Sequence, residues 1–300
     1  MQIKENINPL VSIIVITYNS SKYVIETLES AYNQTYQNIE LIISDDSSID
    51  DTIEICERWI DNNRKRFVRS ELIKVNKNTG ISSNCNRGLA VANGEWVKLI
   101  AGDDILCTEC ISIFMRCSKM HFDSRIFFSD VYLFGTAENS SKNVSVRKWL
   151  DSSLNFVETH GDALKQHKEL LFENRVCAPS AFLHRDTIMK LGGFDEDIKL
   201  MEDYPLWIKA TKNGQIIQCV RECLVKYRLS DSSVQGSKYY RASYELFQQK
   251  YIFKTLLFYI FLPFIDQLRV NRKDLFLIGM LKVFTLPQRF LFIYQKKIKR

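Results

Sequence analysis

Residues 11–19 read VSIIVITYN: seven β-branched or small residues, Val11 to Thr17, running into the polar pair Tyr18 and Asn19. A run that short and that apolar, bounded by polar residues, predicts a buried strand rather than a helix. Two further segments repeat the design. Glu40 to Ser44 (ELIIS) runs into Asp45 and Asp46, and Glu95 to Ile100 (EWVKLI) runs into Gly102, Asp103 and Asp104. Helical patterns lie between them, at Ser21 to Asn33, Thr52 to Arg64 and Asn84 to Ala92, with a further short strand at Leu72 to Val75. Strands alternating with helices require crossover connections, hence a largely parallel sheet covered on both faces. Ligands of such sheets bind beyond the carboxyl ends of the strands. Three strands therefore deliver polar or acidic groups to one rim.

The second half is less regular. The pattern predicts a strand pair or strand-loop at Arg125 to Phe134, a polar loop at Ser140 to Ser145 and a helix at Asp162 to Asn174. A short strand at Ala181 to His184 and a short helix at Arg185 to Leu191, closed by Gly192 and Gly193, follow. Glu202 to Asn213 reads as a helix ended by Gly214. Beyond Tyr227 two apolar stretches, Tyr251 to Ile265 and Leu275 to Tyr294, are broken by Lys254, Pro263, Lys282, Pro287 and Arg289. Neither holds the roughly 20 uninterrupted apolar residues of a spanning helix. Amphipathic helices on a membrane surface fit better, with four positive charges among the last five residues attracted to anionic lipid. Packing on protein is the alternative. The expected division is an α/β domain over 1–235 and an amphipathic helical region over 236–300.

Composition narrows the classes. With 46% hydrophobic and 25% charged residues the 300-residue chain is an ordinary globular protein with a sizeable core. The apolar run near the start is too short for a signal-peptide core, which points to the cytoplasm, where the eight cysteines stay as thiols. Cys107, Cys110, Cys117 and His121 have zinc-like spacing. On one helix, however, Cys107 and Cys117 would stand about 15 Å apart, whereas zinc ligands converge at about 2.3 Å from one ion. Packing against a sheet is the expected role. Basic residues are dispersed without interleaved aromatics, so no nucleic-acid partner is expected. No glycine occurs in Ile16 to Lys22, which argues against a nucleotidyltransferase phosphate loop and a dinucleotide fold alike.

The acids carry the chemistry. Ser48 or Asp50 can cap the helix that begins near Thr52, but this leaves Asp45 and Asp46 unexplained; a carboxylate there can accept from the N3–H of a uracil ring. Adjacent carboxylates such as Asp103 and Asp104 repel each other, and oxygen ligands favour Mg²⁺ or Mn²⁺, which would bridge diphosphate oxygens. Glu202 and Asp203 in the first turn of a helix suit its dipole. One of them could equally act as a general base, and the residues alone do not select which.

In order and separation, PLVSIIVITYNSSKYVIETLESAYNQTY, NIELIISDDSSIDDT, NTGISSNCNRGLAVANGEWVKLIAGDD and GGFDEDIKLMEDYPLWIKATKNG resemble the inverting glycosyltransferases of family 2, over about Pro9 to Arg228. The resemblance implies a GT-A fold and transfer of a sugar from a nucleotide-sugar, expected to be a UDP-sugar. The acceptor would be a hydroxyl of a glycan or lipid-linked glycan in cell-surface polysaccharide synthesis, at the inner face of the membrane. It implies that Thr17 and Tyr18 lie near the nucleotide, that Asp45 and Asp46 meet the base, and that Asp103, with Asp104 beside it, binds the metal and donor. Asp203 matches the catalytic base. Three positions depart from the family pattern: Ala101 stands where the D-x-D element often begins with Asp, Cys85 where Arg is common, and Ser230 (YRLSDSSVQ) where a His is frequent. Donor-sugar contacts are sought between Phe127 and Tyr132, and acceptor contacts in Ser140 to Pro179. The rival reading is an inactive GT-A scaffold or binding protein.

Overall fold

The computed structural model describes residues 8–135, 161–229 and 238–253. Its first half follows the alternation of the sequence: β1 (Val11–Thr17), α1 (Val24–Tyr32), β2 (Ile39–Asp45), α2 (Thr52–Asn63), β3 (Ser70–Lys74), α3 (Ile81–Val91) and β4 (Trp96–Ala101). There follow β5 (Ile105–Leu106), α4 (Cys110–Met120), β6 (Ile126–Phe134), α5 (Ala163–Leu170), β7 (Phe182–His184), α6 (Arg185–Lys190), α7 (Asp203–Lys212), β8 (Ile217–Arg228) and α8 (Lys238–Phe247).

One eight-stranded sheet runs in the order β3-β2-β1-β4-β7-β6-β8-β5. The strands β3, β2, β1 and β4 are mutually parallel, with Thr17 opposite Asp45 and Ile16 opposite Ala101. The three strand ends therefore finish level with one another. Ile13, Ile14 and Val15 are wholly buried although their side chains alternate between faces, the signature of a strand covered on both sides. The helices supply the cover: Val24, Leu28 and Ala31 of α1 and Cys56, Trp59 and Ile60 of α2 join the core, and the Trp96 ring stacks on Phe182 at 5.1 Å.

Beyond β4 the sheet is mixed rather than parallel. The short β7 is antiparallel to both β4 and β6, and β5 is antiparallel to β8, while β6 and β8 run parallel. Strand β8, twelve residues long, breaks the alternation a strand should show: its register skips from Ser129 opposite Val220 to Asp130 opposite Cys223. The extra pair, Arg221 and Glu222, bulges into solvent. Helix α3 begins at Ile81, three residues before the apolar pattern starts, because the Asp46 carboxylate just after β2, described below, binds the main chain ahead of it. Residues 126–134 form one strand, and Phe127 and Phe128 lie wholly in the core, so this strand offers no sugar pocket at Phe127. Cys107 precedes α4, Cys110 opens it and His121 caps its far end. The four thiol and imidazole groups thus do not share one helix, and among the described residues no His, Cys, Asp or Glu group gathers around a metal. No cysteine is in a disulfide among the described residues.

Helix α8 packs on the domain, its Phe247 ring 4.4 Å from that of Tyr204, and the compact unit runs to Tyr251. Among the described residues no helix is long and apolar enough to cross a membrane. The polar loop at 140–145, Ser230 and the amphipathic stretches after Phe253 lie outside the described residues.

Candidate active site

The rim is built where β1, β2 and β4 end. Thr17 and Asp45, paired in register, are both buried and joined: Thr17 Oγ1 donates to Asp45 Oδ2 at 2.7 Å. Ser48 adds its N–H to Asp45 Oδ1 at 2.8 Å and its hydroxyl to Oδ2 at 2.6 Å, closing a turn in which Ser47 takes φ +70°. Asp50 then accepts from Thr52 N at 3.1 Å, just ahead of α2, whose N-cap position is Asp51. Asp46 reaches across to the start of α3. Its carboxylate takes the main-chain N–H groups of Thr79 and Gly80, the Thr79 hydroxyl at 2.7 Å and the Arg87 guanidinium at 2.6 Å. A carboxylate has about four acceptor sites, and protein donors engage all of them. Tyr18, by contrast, is half exposed, beside Asn19 in the left-handed region at φ +50°.

The second acidic corner follows β4. Gly102 is needed for its size: a Cβ there would fall 2.9 Å from the Thr17 methyl and about as close to Ser20. This close approach sets the turn down on the end of β1, and Gly102 N–H donates to Ile16 O at 2.9 Å. Asp103 stays partly open, whereas Asp104 turns inward and is 1% exposed. Asp104 Oδ1 accepts from Arg228 N at 2.8 Å, and its Oδ2 is buried with no hydrogen-bond partner among the described residues. Burial pushes both carboxyls up; the Arg228 charge opposes this at Asp103, while the neighbouring Asp103 charge drives Asp104 further up. Behind the turn lies Lys98, wholly buried, its ammonium bonded to Leu99 O at 2.8 Å and Pro179 O at 2.5 Å.

These features fit a hard divalent cation: an unpaired carboxylate oxygen, a second and more open carboxylate beside it, and ionisation that costs free energy without a cation. Asp103 would be the outward ligand, with Asp104 next to it. Because no third protein carboxylate or imidazole joins them among the described residues, diphosphate and water oxygens would complete the shell, as suits Mg²⁺ or Mn²⁺.

Across the pocket stands the third acidic pair. Glu202 precedes α7 and Asp203 opens it. Asn174 Nδ2 donates to Asp203 Oδ2 at 2.8 Å, while its own Oδ1 accepts from Val176 N at 3.2 Å, which fixes the amide's orientation. Burial raises both carboxyls; the neighbouring Asp203 charge drives Glu202 further, up to about 8, while the Asn174 amide opposes the rise at Asp203. The approach to Asp203 is held by α3: Ser82 Oγ donates to Ile198 O at 2.6 Å, and the Asn86 amide bonds both the N–H and the C=O of Phe194 at 2.9 Å. Asp104, Ala101, Cys85, Glu202, Asp203 and Trp207 line one pocket of about 70 Å³. A carboxyl raised by burial at the edge of a pocket is suited to take a proton, and facing acids able to hold a cation are suited to bring positive charge to a departing anion.

Of the residues singled out in the sequence, the structure gathers Asp104 and Asp203 around this pocket, sets Asp103 beside Asp104, and leaves Tyr18 as the exposed group at the end of β1. Thr17, Asp45 and Asp46 sit below the rim with their polar atoms engaged. Sequence reasoning gave no role to Arg87, Lys98, Asn174 or Arg228. Arg228 stands in YRLSDSSVQ, a segment similar to the family's Tyr-Arg-x-His pattern, whereas Arg87, Lys98 and Asn174 meet Asp46, Pro179 O and Asp203 across long stretches of chain that no local pattern marks.

Residues 12–132 match the sequence family described as Glycosyl transferase family 2. The chain is 29% identical over 249 residues to the Escherichia coli UDP-Glc:alpha-D-GlcNAc-diphosphoundecaprenol beta-1,3-glucosyltransferase WfaP, covering 82% of this chain and 86% of that one. Its fold is similar to S. aureus TarS 1-349 in complex with UDP-GlcNAc, with a TM-score of 0.60, 20% identity and coverage of 79% of this chain and 65% of that one. The mannosyltransferase PcManGT from Pyrobaculum calidifontis, in complex with GDP-Man and Mn²⁺, gives a TM-score of 0.58 at 18% identity over 76% of this chain and 59% of that one. The chain thus spans less than two thirds of either solved structure. The fold is that of the GT-A glycosyltransferases. Within that class, residues 12–132 match glycosyltransferase family 2.

Proposed function

We propose that the protein transfers a sugar from a UDP-sugar to a hydroxyl of a glycan or lipid-linked glycan, with inversion at the anomeric carbon. The observation that carries this is the pocket that holds Asp104 and Asp203 together, with the more open Asp103 next to Asp104 in the turn. Asp203, steadied by Asn174, accepts the proton of the acceptor hydroxyl. The freed oxygen forms its bond to the anomeric carbon as the bond from that carbon to the diphosphate oxygen breaks on the opposite side. One displacement inverts the configuration, and no sugar–enzyme bond is formed. A Mg²⁺ or Mn²⁺ ion held by Asp103 and Asp104 would supply positive charge to the leaving diphosphate. Tyr18 and the β2 turn carrying Asp45 and Asp46 lie on the side assigned to the nucleotide.

The UDP donor is supported by the UDP-sugars named for WfaP and bound to TarS, and a GDP-sugar, as in PcManGT, is the competing choice. A lipid-diphosphate acceptor appears in the name of WfaP. With the basic residues 296–300, it supports work at the inner membrane surface in polysaccharide assembly. The test is calorimetry of UDP, GDP and CDP with and without Mn²⁺, against the wild type and Asp103→Ala. UDP binding that needs Mn²⁺ and is lost in the variant is the expected result. Absence of metal-dependent nucleotide binding in the wild type would bring forward the inactive scaffold.

A further inference from the structure

We propose that Arg228 is the positioning residue of the Asp103–Asp104 turn, holding both acids in the geometry that binds a divalent cation. The inference rests on the metal-assisted transfer proposed above and deepens it. Arg228 ends β8, far from the acids in sequence, yet it meets the turn at two points. Its main-chain N–H donates to Asp104 Oδ1 at 2.8 Å and its side-chain Nε to the main-chain oxygen of Asp103, also at 2.8 Å. The guanidinium edge beyond them is tied to Glu26 of α1, Nη2 to Oε2 at 2.9 Å. Its two faces are covered as well, by the Tyr23 ring at 4.0 Å and the Phe134 ring at 4.3 Å from the guanidinium carbon. Only 10% of the side chain is exposed.

A planar cation held on both faces and along its edge has little rotational freedom left. What it grips matters most. It bonds the carbonyl of Asp103, not the carboxylate, so the turn is fixed while the Asp103 oxygens stay available at the rim. Asp104 has one oxygen turned to the Arg228 N–H and the other left without a partner. The chain beside Arg228 is equally constrained: at Gly135, φ +105°, a Cβ would fall 2.5 Å from Leu229 O and 3.3 Å from Arg228 Cγ. A lysine could keep the charge but could not donate in one plane to Asp103 O and Glu26 while stacked between two rings.

The rival account is that Arg228 merely staples β8 to α1 through Glu26. Mn²⁺ binding, read by electron paramagnetic resonance in the presence of UDP, separates the two, with thermal unfolding followed in parallel on the full chain. Arg228→Lys and Arg228→Gln are expected to weaken Mn²⁺ binding at least about tenfold, the scale of one charge-assisted hydrogen bond. Metal-free UDP binding should stay within about threefold. Glu26→Gln, which releases only the outer end, should keep Mn²⁺ affinity near the wild type. Tyr23→Leu frees one face and leaves the hydrogen bonds in place; an intermediate loss is expected, and it serves if the Arg228 variants unfold. Wild-type Mn²⁺ affinity in folded Arg228→Lys and Arg228→Gln would overturn the proposal, as would an equal loss in Glu26→Gln. A wild type that binds no Mn²⁺ with UDP would instead overturn the transferase reading on which it stands.

Discussion

Replacing Asp46 with alanine asks whether that carboxylate serves the fold or the nucleotide. In the structure its oxygens accept from two main-chain N–H groups, one hydroxyl and the Arg87 guanidinium, and the side chains of the ion pair are 3% and 21% exposed. Breaking a buried pair by removing one partner costs about 3–5 kcal/mol, and each main-chain N–H left unsatisfied adds about 1–3 kcal/mol. Water can reach Arg87 in part, and the contributions share partners and do not add, so the expected loss is about 4 kcal/mol. That corresponds to a fall in Tm of roughly 8–16 °C for a domain of this size. Asp46→Asn, which keeps an acceptor for the α3 main chain, should lose about half as much. The assay is equilibrium unfolding in urea for Asp46→Ala, Arg87→Met and the double variant, whose coupling energy should exceed about 1.5 kcal/mol. The reasoning is refuted if Asp46→Ala unfolds within about 0.5 kcal/mol of the wild type while UDP binding disappears. In that case the carboxylate would be free in solution to hold the base.

Two further outcomes follow from the buried acids. Because the folded protein holds protons on Glu202 and Asp203 more tightly than the unfolded chain, that stability is fully present below the unfolded carboxyl range. It is lost as pH climbs through the folded values, to about 8 for Glu202. Glu202→Gln should therefore flatten the decline in stability between pH 5 and 8, and an unchanged slope in urea titrations across that range would count against it. Asp203→Asn should lower turnover by about 10²–10⁴ while leaving UDP affinity unchanged, and turnover in the wild type should rise with pH as the pair deprotonates. Glu40 provides the opposite case. Burial alone would raise its carboxyl, but bonds from Ser12, Asn93, Arg69 and Gly94 outweigh this and lower it. Its stability is present above the unfolded carboxyl range and lost as pH falls through the lowered folded value. Glu40→Gln should cost about 2 kcal/mol near neutral pH, discounted for the part-exposed Arg69. UDP binding should not change, since Glu40 lies five residues from Asp45, about 17 Å along β2.

The sequence alone determined the first half of the fold, because its signals are local. A buried strand such as Val11–Thr17 must be a short apolar run, an amphipathic helix must repeat its apolar face every turn, and parallel strands need the crossovers between them. The rim followed from the same logic, since Asp45, Asp46, Asp103 and Asp104 each directly follow a strand. Tertiary structure decided what those acids can do. Asp45 and Asp46 read like free ligands until Thr17, Thr79 and Arg87 arrive from elsewhere to engage them. Asp103 and Asp104 are equivalent in the sequence, yet only the inward turn of Asp104 onto Arg228 makes one a buried anchor and leaves the other open. Strand β8 was hidden because Arg221 and Glu222 interrupt its alternation, and only pairing with β6 turns that interruption into a bulge. The roles of Asn174 and Arg228 rest on contacts 29 and 124 residues away in the chain. Such contacts leave no periodicity to read, because their partners become neighbours only when the sheet closes around them.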